Sequence, residues 1–487
     1  MSTIEGLCGA GHPPGGLDAA FEDFLRRFPA YAATAAIDEL RAADYARLDR
    51  LGHTYLDYTG GGLYGESQLR RHHELLAARV LGNPHSQNPT SHEAAELAAR
   101  ARDAVRRFFG APEDEFEIVF TANASGALKL VGEAYPFAPG GVFLLSYDNH
   151  NSVNGIREFA AHKGAAVSYI PVREEDLRLD PEQVCVALRG AGDGAAKLFA
   201  YPARSNFSGA QHPLEWVSEA HAHGWDVVLD CAAYAPTNAI DARRVGADFI
   251  PISFYKLFGY PTGCGCLIAR REALARLCRP WFAGGTIAIA SVQQEDWYRL
   301  TPGAGGFEDG TIDYLGLPAV TIGIEHLERL GLALVHDRVM ALTGWLLEEL
   351  ATLRHSDGAP LVKVFGPADT DRRGATVALY LLDRDGAPYD VYDVEAAAAC
   401  ERISVRSGCF CNPGDGEVAH RISRGDMEHC FTDPAAAVSL MQCQRAIADA
   451  TGKVPNTIRV SLGLVSDFAD VYRFLSFAES YRDRPAG

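Results

Sequence analysis

The chain has 487 residues, 47% of them hydrophobic, enough apolar material for a large buried core and two or three domains. Its 63 acidic residues against 45 basic ones give a net charge of −18, and no Lys/Arg-rich run interrupts the acidic excess, so neither nucleic acid nor a membrane is an expected partner. Residues 1–17 have no basic start and no continuous apolar run, and the 11 cysteines are odd in number and scattered. No signal peptide, membrane anchor or small-domain disulfide framework is therefore expected, and a reducing cytoplasm is the expected location.

The first fifty residues read as an N-terminal helical segment. From 51 to about 315, short β-rich runs alternate with longer helical patterns, the mark of parallel strands joined by crossovers. Strands are expected at 117–121, 142–147, 197–201, 226–230, 249–254 and 264–269, and helices at 68–80, 93–109, 126–135, 156–162 and 213–223. A smaller C-terminal α/β domain is expected over 316–487, with helical patterns at 315–331 and 337–353 and strands at 362–365, 376–382 and 458–462. The fold class is thus α/β, a mostly parallel central sheet with helices on both faces plus this second domain. Three expected strands end in polar residues, at Asp148/His150, Asn206 and Asp230, and carboxyl ends of strands are where open α/β sheets bind ligands.

Lys256 follows an apolar strand in Ser253-Phe-Tyr-Lys256-Leu-Phe-Gly259, where partial burial lowers an amine pKa and favours bonding to an aldehyde. Taken alone, a lysine after a strand is ordinarily a solvated surface residue. Asp230 closes the apolar run Asp226-Val-Val-Leu-Asp230, and a buried carboxylate there needs a partner, although a turn or cap aspartate is the common alternative. His150 lies at another strand end, and 120–128 reads as a strand, a small-residue turn and a helix start whose free N–H groups suit a phosphate. Amine, carboxylate, imidazole lid and phosphate cradle are together what pyridoxal 5'-phosphate requires. Cys264/Cys266 and Cys409/Cys411 are Cys-x-Cys pairs rather than the Cys-x-x-Cys of structural zinc, so no metal is expected; the first pair reads as small apolar residues on a strand.

Nine segments in order over nearly the whole chain resemble the class V aminotransferase superfamily of fold-type I pyridoxal-phosphate enzymes, which contains the cysteine desulfurases. They are Tyr55-Leu-Asp-Tyr58, Gly82-Asn-Pro-His-Ser-Gln-Asn88, 120–130, 148–157, Tyr201-Pro-Ala-Arg-Ser-Asn-Phe-Ser-Gly209, 251–263, Phe307-Glu-Asp-Gly-Thr311, Arg406-Ser-Gly-Cys-Phe-Cys-Asn-Pro413 and Arg459-Val-Ser461. Within the superfamily the chain most resembles the desulfurase domain of the molybdenum cofactor sulfurases. The resemblance implies that Lys256 carries the cofactor, Asp230 pairs with its pyridine nitrogen, His150 stacks on its ring and Asn206 contacts the ring hydroxyl. It also implies that the Ala124 backbone, Ser125 and Ser253 hold the phosphate, with Tyr255 standing where many desulfurases have a histidine. Thr311 is the residue that reaches the neighbouring cofactor in family dimers, which implies a homodimer. Arg459 resembles the arginine that grips the substrate carboxylate, and Arg406, Asn83 and His85 fall on the substrate side.

Cys411 falls where desulfurases place the cysteine that attacks the substrate sulfur, with Cys409 as the rival and Arg406 placed to lower the thiol pKa. The implied reaction takes sulfur from L-cysteine or a derivative, forms a persulfide on Cys411 and releases alanine. The alternative is a pyridoxal-phosphate C–S or selenocysteine lyase, an epimerase or another Cα-carbanion enzyme; a non-catalytic scaffold on the same fold is disfavoured by the full residue set. Two departures stand out. Ala233 replaces the Gln or His that commonly supports the ring hydroxyl, and the chain ends soon after the Arg459 motif, so a further protein or metabolite is the expected sulfur acceptor.

Overall fold

A computed structural model describes residues 16–190, 196–432 and 440–485. Its centre is a seven-stranded sheet built from β1 (Phe116–Thr121), β2 (Val142–Ser146), β3 (Ala166–Ile170), β4 (Lys197–Pro202), β5 (Asp226–Asp230), β6 (Phe249–Ser253) and β7 (Gly265–Arg270), in the order β1-β7-β6-β5-β4-β2-β3. Neighbours from β6 through β3 run parallel, whereas β7 is antiparallel to both β1 and β6. β4 is buried along its whole length, as a strand covered by helices on both faces must be. β3 escaped the sequence reading because it lies at the sheet edge, where Ala166 and Ser168 are exposed and only Ile170 is fully buried.

The second sheet is antiparallel and contains β8 (Val362–Phe365), β9 (Thr376–Leu381), β10 (Arg406–Gly408) and β11 (Thr457–Ser461), in the order β8-β9-β11-β10. Thr54–Tyr55 pairs parallel with Ile403–Ser404, and Asp57 bridges to Ser461, so the start of the first expected domain is hydrogen-bonded into the second. The N-terminal helix Leu17–Arg27 packs on the same side: Phe24 meets Trp345 and Phe468, with ring centroids 5.4 and 5.1 Å apart. Arg41 fastens the next helix, Ala36–Asp44, to the C-terminal helix Phe468–Glu479 through Asp470 at 2.6 Å.

Cys264 and Cys266 are buried, as expected of small apolar side chains. Cys430 and Cys443 form a disulfide between the helices Arg424–Thr432 and Leu440–Thr451, a pairing that cysteine spacing did not suggest.

Candidate active site

The carboxyl ends of β1, β2, β4, β5 and β6 converge on one cavity of about 170 Å³. Its lining includes Ala124, Ser125, His150, Asn206, Asp230, Ser253, Tyr255 and Lys256, so one site gathers eight of the residues expected to serve the cofactor. A convergence of loops at strand ends is the usual ligand position in such sheets.

Local sequence explains how Lys256 is presented. After β6, whose five residues are all buried, one helical turn runs Phe254–Phe258 and stops at Gly259, which has a left-handed φ of +78°. Phe254, Leu257 and Phe258 point into the core, which leaves Tyr255 and Lys256 on the cavity side. A side chain at Gly259 would lie 2.3 Å from the Leu63 and Tyr64 backbone, so only glycine ends this turn. The Lys256 amine has no hydrogen-bond partner among the described residues. Desolvation pushes its pKa below the ordinary lysine value, opposed by Asp230 and reinforced by Arg459 and Arg204.

Asp230 is buried, and its Oδ1 accepts from the Ala232 N–H at 2.9 Å while Oδ2 has no donor among the described residues. An unsatisfied carboxylate oxygen in a cavity fits a protonated ring nitrogen. His150 caps the short helix Asn151–Asn154, its Nδ1 accepting from the Ser152 N–H at 3.1 Å, so the neutral ring carries its proton on Nε2. Burial lowers the His150 pKa, and the nearby Lys256 and Arg459 lower it further.

The phosphate end differs in detail from expectation. The Ala124 N–H is already given to Ser253 Oγ at 2.9 Å, so it is not a free phosphate donor. The Gly126 N–H goes to the capping Asn123 side chain, which leaves the Ser125 N–H without a partner among the described residues. Ser152, which sequence reading passed over, lines the cavity with its hydroxyl 2.6 Å from that of Ser125. The start of the helix Ala124–Ala134 therefore offers the free Ser125 N–H and hydroxyl, and Ser152 on the helix Asn151–Asn154 adds a second hydroxyl, a set that fits a phosphate. With the partnerless amine and carboxylate oxygen, the cavity fits pyridoxal phosphate.

Arg459 is buried, its Nη1 donating to the Asn206 carbonyl at 3.0 Å and its Nη2 to Asp57 Oδ1 at 2.9 Å; its Nε has no partner among the described residues. The same Asp57 holds Arg406, whose Nε donates to Oδ2 at 2.9 Å. Arg406 is thus tied to a carboxylate. Asp57 is a site residue whose role is not legible from sequence; its one local signal is a carboxylate inside the otherwise apolar Tyr55–Tyr58 run.

The Cys411 loop is strained and held from the cavity side. Phe410 and Cys411 have φ of +57° and +55°, left-handed values that side-chain-bearing residues avoid. Asn206 Nδ2 donates to the Phe410 carbonyl at 2.7 Å, and the Asn151 N–H donates to the Cys411 carbonyl at 2.7 Å. The fully buried Asn412 donates to the Asp148 carbonyl at 2.9 Å and to Asn206 Oδ1 at 3.1 Å. Gly414 approaches so closely that a Cβ there would sit 2.1 Å from the Tyr147 carbonyl oxygen. Cys411 is exposed and Cys409 half-buried, with the Cys409 thiol pKa pushed up by burial. Both line an open groove of about 1510 Å³ that adjoins the cofactor cavity through the Asn151 segment.

Six expected site residues are not part of the Lys256 cavity lining: Arg459 and Arg406 meet at Asp57, Cys411 lines the open groove, and three more lie elsewhere. Thr311, Asn83 and His85 are exposed and do not line the Lys256 cavity; Asn83 Nδ2 donates to Thr311 Oγ1 at 3.2 Å, so two of them meet on a separate surface. A residue that serves a second subunit would be found away from its own cavity, and no linear pattern distinguishes that case from an ordinary exposed loop.

A curated molybdenum cofactor sulfurase from Solanum lycopersicum is 32% identical over 95% of this chain and 60% of its own length. Another from Bos taurus is 34% identical over 91% of this chain and 51% of its own length, so the chain spans between half and two thirds of these relatives. The solved apo structure of a cysteine desulfurase from Thermococcus onnurineus NA1 superimposes with a TM-score of 0.73 at 24% identity, covering 91% of this chain and 97% of that one, which establishes a shared fold. Residues 54–474 match the model of the aminotransferase class-V family, and with the lysine, aspartate and strand-end cavity in place, the chain belongs to that family.

Proposed function

We propose that the protein is a pyridoxal-phosphate cysteine desulfurase that takes sulfur from L-cysteine or a close derivative onto Cys411 and releases alanine. The observation that carries this reading is the exposed Cys411 on a strained loop hydrogen-bonded to the floor of the Lys256 cavity. When bound there, the cofactor supplies an electron sink that makes the substrate Cα–H acidic and loosens the C–S bond. Lys256, its amine desolvated and without a hydrogen-bond partner among the described residues, serves as the amine that moves the Cα proton. Arg459, held by Asp57 and by the Asn206 carbonyl, is the guanidinium that takes the substrate carboxylate. The Cys411 thiolate attacks the substrate sulfur; an S–S bond forms as the C–S bond breaks, and two protons convert the carbon fragment to alanine. Overall, one thiol and one cysteine give one persulfide and one alanine. Cys409, half-buried and held as a thiol, is the weaker nucleophile.

The proposal extends to a homodimer in which Thr311 of one copy serves the other, to a protein or metabolite that accepts the sulfur at the open groove, and to a cytoplasmic setting that keeps Cys411 reduced. The Cys430–Cys443 disulfide is a feature that points the other way on location. The test is incubation with L-cysteine followed by measurement of alanine, pyruvate and protein persulfide, with Cys411→Ser and Cys409→Ser alongside. Alanine with persulfide, both lost in C411S and kept in C409S, is the expected result. Pyruvate formed at an undiminished rate by C411S would replace desulfuration with β-elimination.

A further inference from the structure

The cavity contains a guanidinium that forms no ion pair with a carboxylate among the described residues. Arg204 is 4% exposed and lines the cavity beside Asp230, Ala232, Ala233 and Lys256. Its Nη1 donates to Thr237 Oγ1 at 3.0 Å, its Nε has no partner, and it forms no ion pair among the described residues. Arg459 and Arg406, by contrast, share Asp57. A buried guanidinium without an anion is strongly unfavourable unless a ligand provides one.

Location narrows the choice of anion. Arg204 lies two residues before Asn206 on the segment that leaves β4, and Thr237 anchors it on the segment that leaves β5. That second segment contains Ala233, which puts no polar side chain into the cavity. Asn206 is itself heavily engaged, since its amide oxygen accepts from Asn412 and one N–H is given to the Phe410 carbonyl. The ring hydroxyl of a cofactor held between Lys256 and Asp230 would thus find little support from Ala233 and at most one further N–H from Asn206.

We propose that Arg204 is the cationic partner of the ring oxygen of pyridoxal phosphate, holding it as a phenolate in place of the polar group missing at Ala233. This rests on the reading that the cavity takes that cofactor. The groups facing Arg204 from the packed elements are Tyr234 and Asp230 from the β5 end, Lys256 from the β6 end, Arg459 on β11 and Arg373 before β9. Burial lowers the Arg204 pKa to about 10, still well above neutrality, so the residue stays charged.

A positive charge beside the phenolate favours loss of the proton that the oxygen shares with the Lys256 linkage, and removing the charge reverses this. The experiment is a pH titration of the visible absorption of the purified holoenzyme for wild type, Arg204→Gln and Arg204→Lys, with cofactor dissociation constants measured on the apoproteins. The expected result is a titration midpoint raised by about one pH unit or more in R204Q, with weaker cofactor binding, and a midpoint nearer wild type in R204K. An R204Q midpoint equal to that of wild type overturns the proposal; a KM for L-cysteine that rises while the midpoint stays fixed would reassign Arg204 to the substrate carboxylate. Should R204Q fail to fold, R204K decides alone: weakened cofactor binding with a displaced midpoint supports the proposal, and an unchanged midpoint and affinity refute it. Wild-type protein that takes up no cofactor would instead refute the cofactor reading, a distinguishable failure.

Discussion

Replacing Asn412 by alanine should release the Cys411 loop while leaving the cofactor cavity able to fill. Asn412 is fully buried, and its side chain makes two good donor contacts, to the Asp148 carbonyl at 2.9 Å and to Asn206 Oδ1 at 3.1 Å, and accepts from the Asp415 N–H at 3.2 Å. Truncation strands these buried groups at a cost of about 1 kcal/mol or more each, roughly 3 kcal/mol in all. Against this stand two consecutive left-handed residues, Phe410 and Cys411, whose relaxation would recover roughly 1–2 kcal/mol apiece. With the Asn412 contacts gone, roughly 2–4 kcal/mol of backbone strain is no longer offset by them, so the loop is biased away from its strained form. Since about 1.4 kcal/mol is tenfold in an equilibrium, persulfide formation on Cys411 should fall at least tenfold. The assay is single-turnover persulfide formation with L-cysteine, paired with the absorption spectrum of the bound cofactor. Unchanged persulfide kinetics in a variant of lowered thermal stability would refute the link between Asn412, loop strain and thiol presentation.

Lys256→Ala should abolish alanine formation and the absorption of the covalently held cofactor; a spectrum identical to wild type would remove Lys256 from the site. Asp57→Ala leaves Arg459 buried without its counter-charge, so a loss of about 3–5 kcal/mol of stability and at least a tenfold rise in KM for L-cysteine are expected, read by denaturant unfolding and steady-state kinetics. His420 is buried against Tyr380, and burial lowers its pKa to about 3. Because the unfolded imidazole binds a proton near 6.5 and the folded one does not, its effect on stability is nil above that value and becomes destabilising as pH falls toward 3, by about 1.4 kcal/mol per unit. His420→Phe should flatten that acid limb in unfolding experiments at pH 7, 5.5 and 4, and an unaltered limb would assign acid sensitivity elsewhere.

Much of the architecture was legible because its signals are local. Apolar runs at 226–230 and 249–254 can satisfy their backbones only as covered strands, and the polar residues that end them mark the ligand edge; Lys256, Asp230, His150 and Asn206 follow from that rule and share one cavity. The edge strand β3, with one face exposed, lacks the continuous apolar run that marks its neighbours. The function of Asp57, Ser152 and Asn412 was not legible, since each acts through partners far away in the chain or through a backbone group. The Asp57 clamp joins residues 349 and 402 positions distant, which no sequence period encodes. Arg204 shows the same limit: its residue type is visible in the sequence, but its lack of an ion-pair partner among the described residues is a property of the packed interior alone. Sequence by itself fixed which side chains stand at strand ends, because hydrophobic periodicity is written locally. Tertiary structure decided which of them are paired, which are left without partners and which thiol faces solvent, because burial and Coulomb interactions depend on distance in space.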